Sequence, residues 1–157
     1  DDLFAHMEEI DLCWRLKNRG YKVGVCGSAS VRHLGGGTLT SSNPFKVYLN
    51  FRNNLIILSK NKKGFMPVFI FRRLILDGVA AIRFLLRGEI LFFLAVAKAH
   101  FMFFSMLPSC LKKREFEKNN RNTEKDNLVG TYSKSILIQY FFKGITKMSD
   151  LPRSDFS

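Results

Sequence analysis

Two long apolar stretches, 66–87 and 89–107, separated only by Gly88, place the strongest limit on how this chain can fold. The polar residues of the first stretch are Arg72, Arg73, Asp77, Arg83 and Arg87. At about 100° per residue they fall within a helical arc of roughly 140°. The remaining surface is Val, Phe, Ile, Leu and Ala. This pattern predicts a helix in a membrane interface with its arginines toward the headgroups. The alternative is a buried amphipathic helix of a globular core.

The second stretch is long enough to cross a bilayer, which needs about 20 apolar residues. Lys98 and His100 interrupt it, and the basic run 112–114 follows it. Because a lysine within a span is costly, we expect a re-entrant or deeply interfacial helical hairpin, with a single span as the alternative. The basic flank predicts a location at the cytoplasmic face of the inner or plasma membrane.

The net charge and the cysteine spacing limit the kinds of partner and binding site that the chain can have. The net charge of +12 is carried mainly by residues after Lys60, which suits an anionic membrane face or a nucleic acid. Because the basic residues border apolar runs, we expect the membrane and no nucleic-acid partner. Cys13, Cys26 and Cys110 have no Cys-x-x-Cys spacing, so they predict neither a zinc site nor a disulfide framework.

The first sixty residues predict a mixture of helices and strands. A helix is expected from about Glu8 to Arg19, followed by short strands over Tyr21–Cys26 and Ala29–His33. Asn43 is a good N-cap and Pro44 a good first helical residue, so a second helix is expected to run to about Lys60.

Carboxylates crowd the start of the first predicted helix. Glu8, Glu9 and Asp11 lie there, where the helix dipole favours negative charge. A carboxylate held rigidly at the end of an element that faces a cleft is suited to abstracting a proton from an alcohol. The alternative is that these acids merely fill the first turn, as acidic residues commonly do.

A lone histidine precedes a glycine-rich loop. His33 is followed by Gly35, Gly36, Gly37 and Thr38. Histidine is a common metal ligand, and a glycine loop lets backbone N–H groups approach phosphate oxygens. The alternative is a structural or surface histidine.

These motifs also agree in order with a known family. The segments 8–15, 20–23 and 31–38, together with 48–54, resemble family 2 inverting glycosyltransferases, in particular their rhamnosyltransferase-like and galactofuranosyltransferase-like branch. The resemblance implies an α/β fold: the C-terminal part of a GT-A (nucleotide-diphospho-sugar transferase) domain, followed by amphipathic, membrane-associated α-helices.

The resemblance also implies roles for the acids and for Arg52. Glu9 matches the catalytic base, a position where the family usually has Asp, while Glu8 and Asp11 would shape the acid pocket. Arg52 matches the arginine of a conserved helix and would contact phosphate or acceptor.

The loop residues receive roles in the same way. His33 would ligate a divalent metal, Mn²⁺ or Mg²⁺. The loop from Gly35 to Thr38, with Gly36 and Gly37, would close over the nucleotide diphosphate.

The function implied by the resemblance is transfer of a sugar, with inversion, from a nucleotide-sugar donor to a hydroxyl of a glycan or lipid-linked acceptor in cell-surface polysaccharide biosynthesis. The resemblance covers residues 1–60 and lacks the upstream half that carries an Asp-x-Asp motif, so we expect a C-terminal fragment that is inactive alone. We expect three parts: 1–61 catalytic, 62–111 a membrane-associated hairpin, and 112–157 a basic linker and short tail. The alternative is a non-enzymatic, basic membrane-binding remnant.

Overall fold

The computed structural model describes residue 3 and residues 5–32, 43–122 and 129–156. The chain divides into two compact units, 1–125 and 126–157. The helices are α1 (Glu8–Asn18), α2 (Pro44–Asn61), α3 (Met66–Leu86), α4 (Ile90–Asn119) and α5 (Ile136–Lys143). Helices α1 to α4 belong to the first unit and α5 to the second. The sequence analysis divides the chain by function at residues 61 and 111, and that division stays a prediction.

Helix α2 is the centre of the first unit. Its start confirms the expected cap, because the Asn43 side chain accepts a hydrogen bond of 2.8 Å from the backbone N–H of Phe45, and Pro44 follows at the first helical position. Helices α1, α3 and α4 all pack against α2, and its contact with α4 is the most extensive.

Two apolar clusters fill the interior between these helices. One lies toward the C-terminal half of α2 and contains Leu55, Ile56, Ile70, Phe103 and Cys110. The other lies toward its N-terminal half and contains Tyr48, Leu49, Ala95 and Ala99. Both clusters join α2 to α4, which explains why that pair forms the main interface of the unit.

The C-terminal end of α2 is held by arginines from the end of α4 and just beyond it. Arg114 Nη1 donates to the carbonyl oxygens of Ser59, at 2.7 Å, and Lys62, at 2.6 Å. Arg121 Nη2 donates to the carbonyl of Asn61 at 2.7 Å. The last carbonyls of a helix have no partner within it and carry the negative end of its dipole, so the guanidinium groups satisfy both needs.

Helix α4 extends well beyond its predicted end at Leu107. It runs through Pro108 to Asn119. Proline removes one helical hydrogen bond, and this cost is offset by tertiary contacts of the following turns. Cys110 is buried in a core cluster, and Arg19 Nη2 lies 3.2 Å from the carboxylate of Glu117.

The predicted α/β class is wrong. Among the described residues there is no strand, and residues 21–26 and 29–32, the described parts of the two segments expected to be strands, have no regular secondary structure. An alternating pattern forms a strand only where a neighbouring segment completes its ladder of hydrogen bonds. No described segment does so, and Val25 and Val31 are 97% and 89% exposed. The first unit is therefore all-α in the part that the structure describes, which contradicts a GT-A domain.

The polar arc of α3 does not face outward as a whole. Asp77 is only 1% exposed and faces α4. Arg73 Nε lies 2.7 Å from its Oδ1 atom, and His100 Nε2 lies 3.3 Å from its Oδ2 atom. Arg72, Arg83 and Arg87 remain exposed. The predicted arc is thus split between an internal ion-pair cluster and the surface.

The opposite sides of α3 and α4 form a large exposed surface, which we name the apolar outer face. Its members are Val68, Phe71, Ile75, Leu76, Val79, Ile82, Leu85, Leu86, Ile90, Leu91, Leu94, Phe101 and Phe104. Helix α4 is long and apolar enough to cross a membrane, and only 22% of its apolar window is buried within the protein. A core helix of a soluble protein is mostly buried by neighbouring elements, whereas most of this apolar window is not covered by the described residues.

The second unit contains α5 and a short terminal arrangement. Tyr132 and Phe156 form an isolated antiparallel bridge with their rings 5.2 Å apart. Lys134 Nζ lies 2.8 Å from Asp155 Oδ1, and Leu151 is buried. These contacts tie the end of the chain to the segment before α5.

Replacing Arg114 tests whether the arginine cap stabilises the first unit. Arg114→Met keeps much of the apolar stem but removes the hydrogen bonds to the end of α2, so we expect the free energy of unfolding to fall by about 2 kcal/mol. The measurement is urea unfolding in mild detergent, followed by far-ultraviolet circular dichroism. Lys112→Met is the matched control because Lys112 is exposed on the same helix. Equal losses in both variants would contradict the assigned cap.

Candidate functional site

The start of α1 presents carboxylates to solvent. Glu8 and Glu9 are exposed in its first turn, and among the described residues neither makes an ion pair or a hydrogen bond through its side chain. Met7 occupies the N-cap position and supplies no side-chain hydrogen bond. The two carboxylates are therefore held on a helix end and are accessible to a ligand.

The backbone before α1 is bent into an unfavourable conformation. His6 and Met7 have φ angles of 69° and 72°, in the left-handed region that residues with side chains rarely adopt. Such conformations cost on the order of 1–3 kcal/mol each and persist only where surrounding contacts enforce them. They also tend to occur at functional sites, so the bend leading to Glu8 and Glu9 is an informative feature.

Asn53 holds this bend in place. Its side chain is fully buried, and Nδ2 donates to the carbonyl oxygens of Ala5 at 2.8 Å and His6 at 2.9 Å. Its Oδ1 atom accepts from Arg52 Nε at 3.0 Å and Nη2 at 2.8 Å. Arg52 requires an acceptor and the carbonyls require a donor, so only this orientation of the amide satisfies all of the contacts.

Arg52 extends the same network to Tyr48. Its Nη1 atom donates to the Tyr48 hydroxyl at 3.2 Å, and its guanidinium carbon lies 5.2 Å from the centre of the Tyr48 ring. Sequence reasoning selected Arg52 as a phosphate or acceptor contact, and that role stays a prediction. It missed the clamp formed by Asn53, although the polar run Arg52-Asn53-Asn54 within an otherwise apolar helix was a signal for it.

His6 adds an unpaired polar atom beside the clamp. Its Nε2 atom is buried and has no hydrogen-bond partner among the described residues. An unpaired buried nitrogen is costly, so a water or a ligand group that hydrogen-bonds to this atom would be stabilised there. His6 is not among the site residues predicted from the sequence.

Asp11 is placed differently from the other acids. It is 4% exposed, and its carboxylate contacts Lys60 Nζ at 2.6 Å, Arg15 Nε at 2.9 Å and Asn61 Nδ2 at 2.6 Å. Burial alone would raise the pKa of Asp11, but the hydrogen bonds from Lys60 and Asn61 and the charges of Lys60 and Arg15 hold that pKa below its ordinary value. Asp11 therefore joins α1 to the end of α2 as an ionised group.

The remaining predicted site residues lie outside the described part of the chain. These are His33, Gly35, Gly36, Gly37 and Thr38. Within the described residues no group of three or more His, Cys, Asp or Glu side chains could hold a metal ion. The expected divalent metal at His33 stays a prediction.

The comparisons with known proteins give no support for the family resemblance. No protein-family model matches this chain, and no curated protein or solved structure matches it. Together with the helical structure of the described residues, this finding overturns the identification as a C-terminal fragment of a family 2 glycosyltransferase with a GT-A fold. The short motifs that carried the resemblance do not by themselves specify a family.

Replacing Asn53 tests the clamp. In Asn53→Ala the two carbonyls lose their donor and the bend before α1 is no longer enforced, so we expect a loss of about 2–3 kcal/mol in the free energy of unfolding. Urea unfolding measures this loss. Asn54→Ala is the matched control, because the Asn54 side chain makes only a 4.0 Å contact with Met7 Sδ. A loss as large in the control would contradict the clamp.

Proposed function

We propose that the first unit binds the anionic surface of a membrane through the apolar outer face. The observation that carries this proposal is that an ionisable cluster lies between α3 and α4 while large apolar side chains of both helices are exposed. Asp77 and its partners Arg73 and His100 lie between the helices, whereas Phe71 and Leu86 are 64% and 83% exposed. In a soluble helix pair the opposite arrangement is expected. Ionisable residues of membrane-embedded helices characteristically face their neighbours and pair there.

The spacing of the exposed residues supports a continuous surface. On α3, Val68, Phe71, Ile75, Val79 and Ile82 recur at intervals of three and four residues, which places them in one stripe along the helix. A stripe of this kind on each of two packed helices is larger than the scattered apolar residues of ordinary surfaces, and it marks an interaction site.

The charges favour a lipid surface over a protein partner. Arg72, Arg83, Arg87 and Lys112 are exposed on the same two helices or at their junction, and the chain carries a net charge of +12. Basic residues beside an apolar face suit anionic headgroups, at about 1 kcal/mol for each charge near the surface. We place the hairpin at the cytoplasmic face, in an interfacial or re-entrant position, because of the basic run 112–114.

Charged substitutions on the apolar outer face test the membrane proposal. In the double variant Val79→Glu, Leu86→Glu, we expect at least a tenfold loss of partition into anionic vesicles, since two apolar side chains of about 1.5–3 kcal/mol each are replaced by carboxylates. The measurement is vesicle flotation of the whole chain at low and high salt. Val25→Glu, Val31→Glu is the matched control, because both positions are highly exposed outside the helices. Equal losses in the two double variants, or no binding by the unmodified chain, would refute the proposal.

A second function is favoured by the strained bend before α1. We propose that Glu9 acts as a general base in the transfer of a sugar from a nucleotide-sugar to an acceptor hydroxyl. Asn53 enforces a costly backbone conformation whose consequence is to present Glu8 and Glu9 on a helix end. The geometry supports Glu9 as a base, and the sugar substrate is the expectation drawn from the sequence motifs.

The chemistry of the proposed step is simple. Glu9 accepts the hydroxyl proton, the acceptor oxygen forms a bond to the anomeric carbon, and the bond from that carbon to the nucleoside diphosphate breaks. Attack opposite the leaving group inverts the configuration. A glycan or lipid-linked acceptor is consistent with the proposed membrane attachment.

Glu9→Gln tests the second function. The amide cannot accept the proton, so we expect turnover to fall by about 10²–10⁴-fold with little change in stability, because the side chain is exposed. The measurement is release of nucleoside diphosphate from a panel of nucleotide-sugars in the presence of membrane glycolipids. Lys22→Gln is the control, since Lys22 is exposed and lies outside the helix. Near-normal turnover in Glu9→Gln would rule out Glu9 as the base.

A further inference from the structure

A small cleft lies between the start of α2 and the start of α4. It has a volume of about 250 Å³ and is lined by Phe45 and Tyr48 from α2 and by Leu91, Leu94, Ala95 and Lys98 from α4, together with Pro44. The lining is apolar except for the Tyr48 hydroxyl and the Lys98 ammonium group. A cleft with apolar walls and one charged end suits an amphiphilic ligand.

The residues from α4 follow one line along the helix. Leu91, Leu94, Ala95 and Lys98 recur at intervals of three, four and seven residues, so they share a face. From Leu91 to Lys98 this line is about 10 Å long at 1.5 Å per residue. Leu91 and Leu94 also belong to the apolar outer face, so the cleft opens directly onto the surface proposed to contact lipid.

Lys98 lies at the polar end of the cleft, and Arg52 contacts the Tyr48 side chain that lines it. Lys98 Nζ lies 5.3 Å from the centre of the Tyr48 ring, and the guanidinium carbon of Arg52 lies 5.2 Å from it. Among the described residues no carboxylate pairs with Lys98. The Tyr48 hydroxyl accepts from Arg52, which leaves its own hydrogen available to an anion. A phosphate at this point would receive charge-assisted contacts.

We infer that this cleft binds the phosphate of a membrane lipid, with the phosphate at Lys98 and Tyr48 and the adjoining part of the lipid chain against Leu91 and Leu94. The inference rests on the proposed membrane association, because the remainder of the lipid lies in the bilayer. Charge complementarity selects the headgroup, and the length of the apolar line admits only the first part of the chain.

The site is connected to the acid-bearing bend. Arg52 contacts both Tyr48 and Asn53, and Asn53 holds the carbonyls of Ala5 and His6. Ala5 also packs against the core cluster that contains Tyr48. A lipid phosphate bound in the cleft would therefore rest on the same framework that positions α1.

The test uses octyl phosphate as the probe, with inorganic phosphate and octanol as its separate halves. Binding to the whole chain is measured by isothermal titration calorimetry. We expect octyl phosphate to bind at least tenfold more tightly than either half. We expect Lys98→Met to weaken the binding of octyl phosphate at least tenfold. Lys98→Arg should retain most of it. Lys118→Met is the control, since it removes the same charge from an exposed position of the same helix that has no proposed lipid contact, and it should bind as the unmodified chain does.

Three results would overturn the inference. They are equal losses in Lys98→Met and Lys118→Met, loss of binding in Lys98→Arg despite a native circular dichroism spectrum, and inorganic phosphate binding as tightly as octyl phosphate. Vesicle flotation of the same proteins separates this failure from failure of the membrane proposal. Retained flotation with no effect of Lys98→Met on octyl phosphate would reject only the lipid site. Absent flotation would reject the membrane proposal.

Discussion

The polar contacts at the C-terminal end of α2 hold the first unit together. Lys60 and Asn61 meet the buried carboxylate of Asp11 from α1, while Arg114 and Arg121 donate to carbonyls at the same helix end. Each partner satisfies a group that would otherwise be unpaired away from water, and the cost of leaving such groups unpaired makes the arrangement specific. Because this end of α2 is fixed, α1 and α4 have defined directions relative to it.

Residues 48–53 of α2 carry the features from which function is inferred. Asn53 enforces the bend that precedes the exposed carboxylates, and Tyr48 forms one wall of the cleft beside Lys98. Arg52 lies between them and contacts both. The bend before the proposed base and the cleft for the proposed lipid phosphate therefore both depend on α2. A substrate presented from a membrane and a carboxylate on α1 would be positioned by the same framework, which gives the two proposed functions a common physical basis.

Much of the helical structure could be predicted from the sequence, whereas the candidate site could be predicted only in part. The Asn43 cap, the bounds of α2 and the bounds of α3 were accessible because they depend on capping and on apolar periodicity within one segment. The prediction of strands was wrong because the alternation of apolar and polar residues in Tyr21–Cys26 does not show whether a partner strand exists. Glu8 and Glu9 were selected, but the clamp that presents them was not, since it joins Asn53 to backbone carbonyls of a distant segment.

The sequence by itself determined where apolar and polar residues recur, and hence which segments are helical and which helix is apolar enough to enter a membrane. Only the tertiary structure decided the direction in which those residues face. Asp77 is buried beside His100, which comes from another helix. Asp11 is buried against Lys60 and Asn61, whereas Glu9 on the same helix is exposed. The physical reason is that helix formation depends on hydrogen bonds between near neighbours, whereas a buried charge is stable only beside partners that the fold brings from elsewhere in the chain.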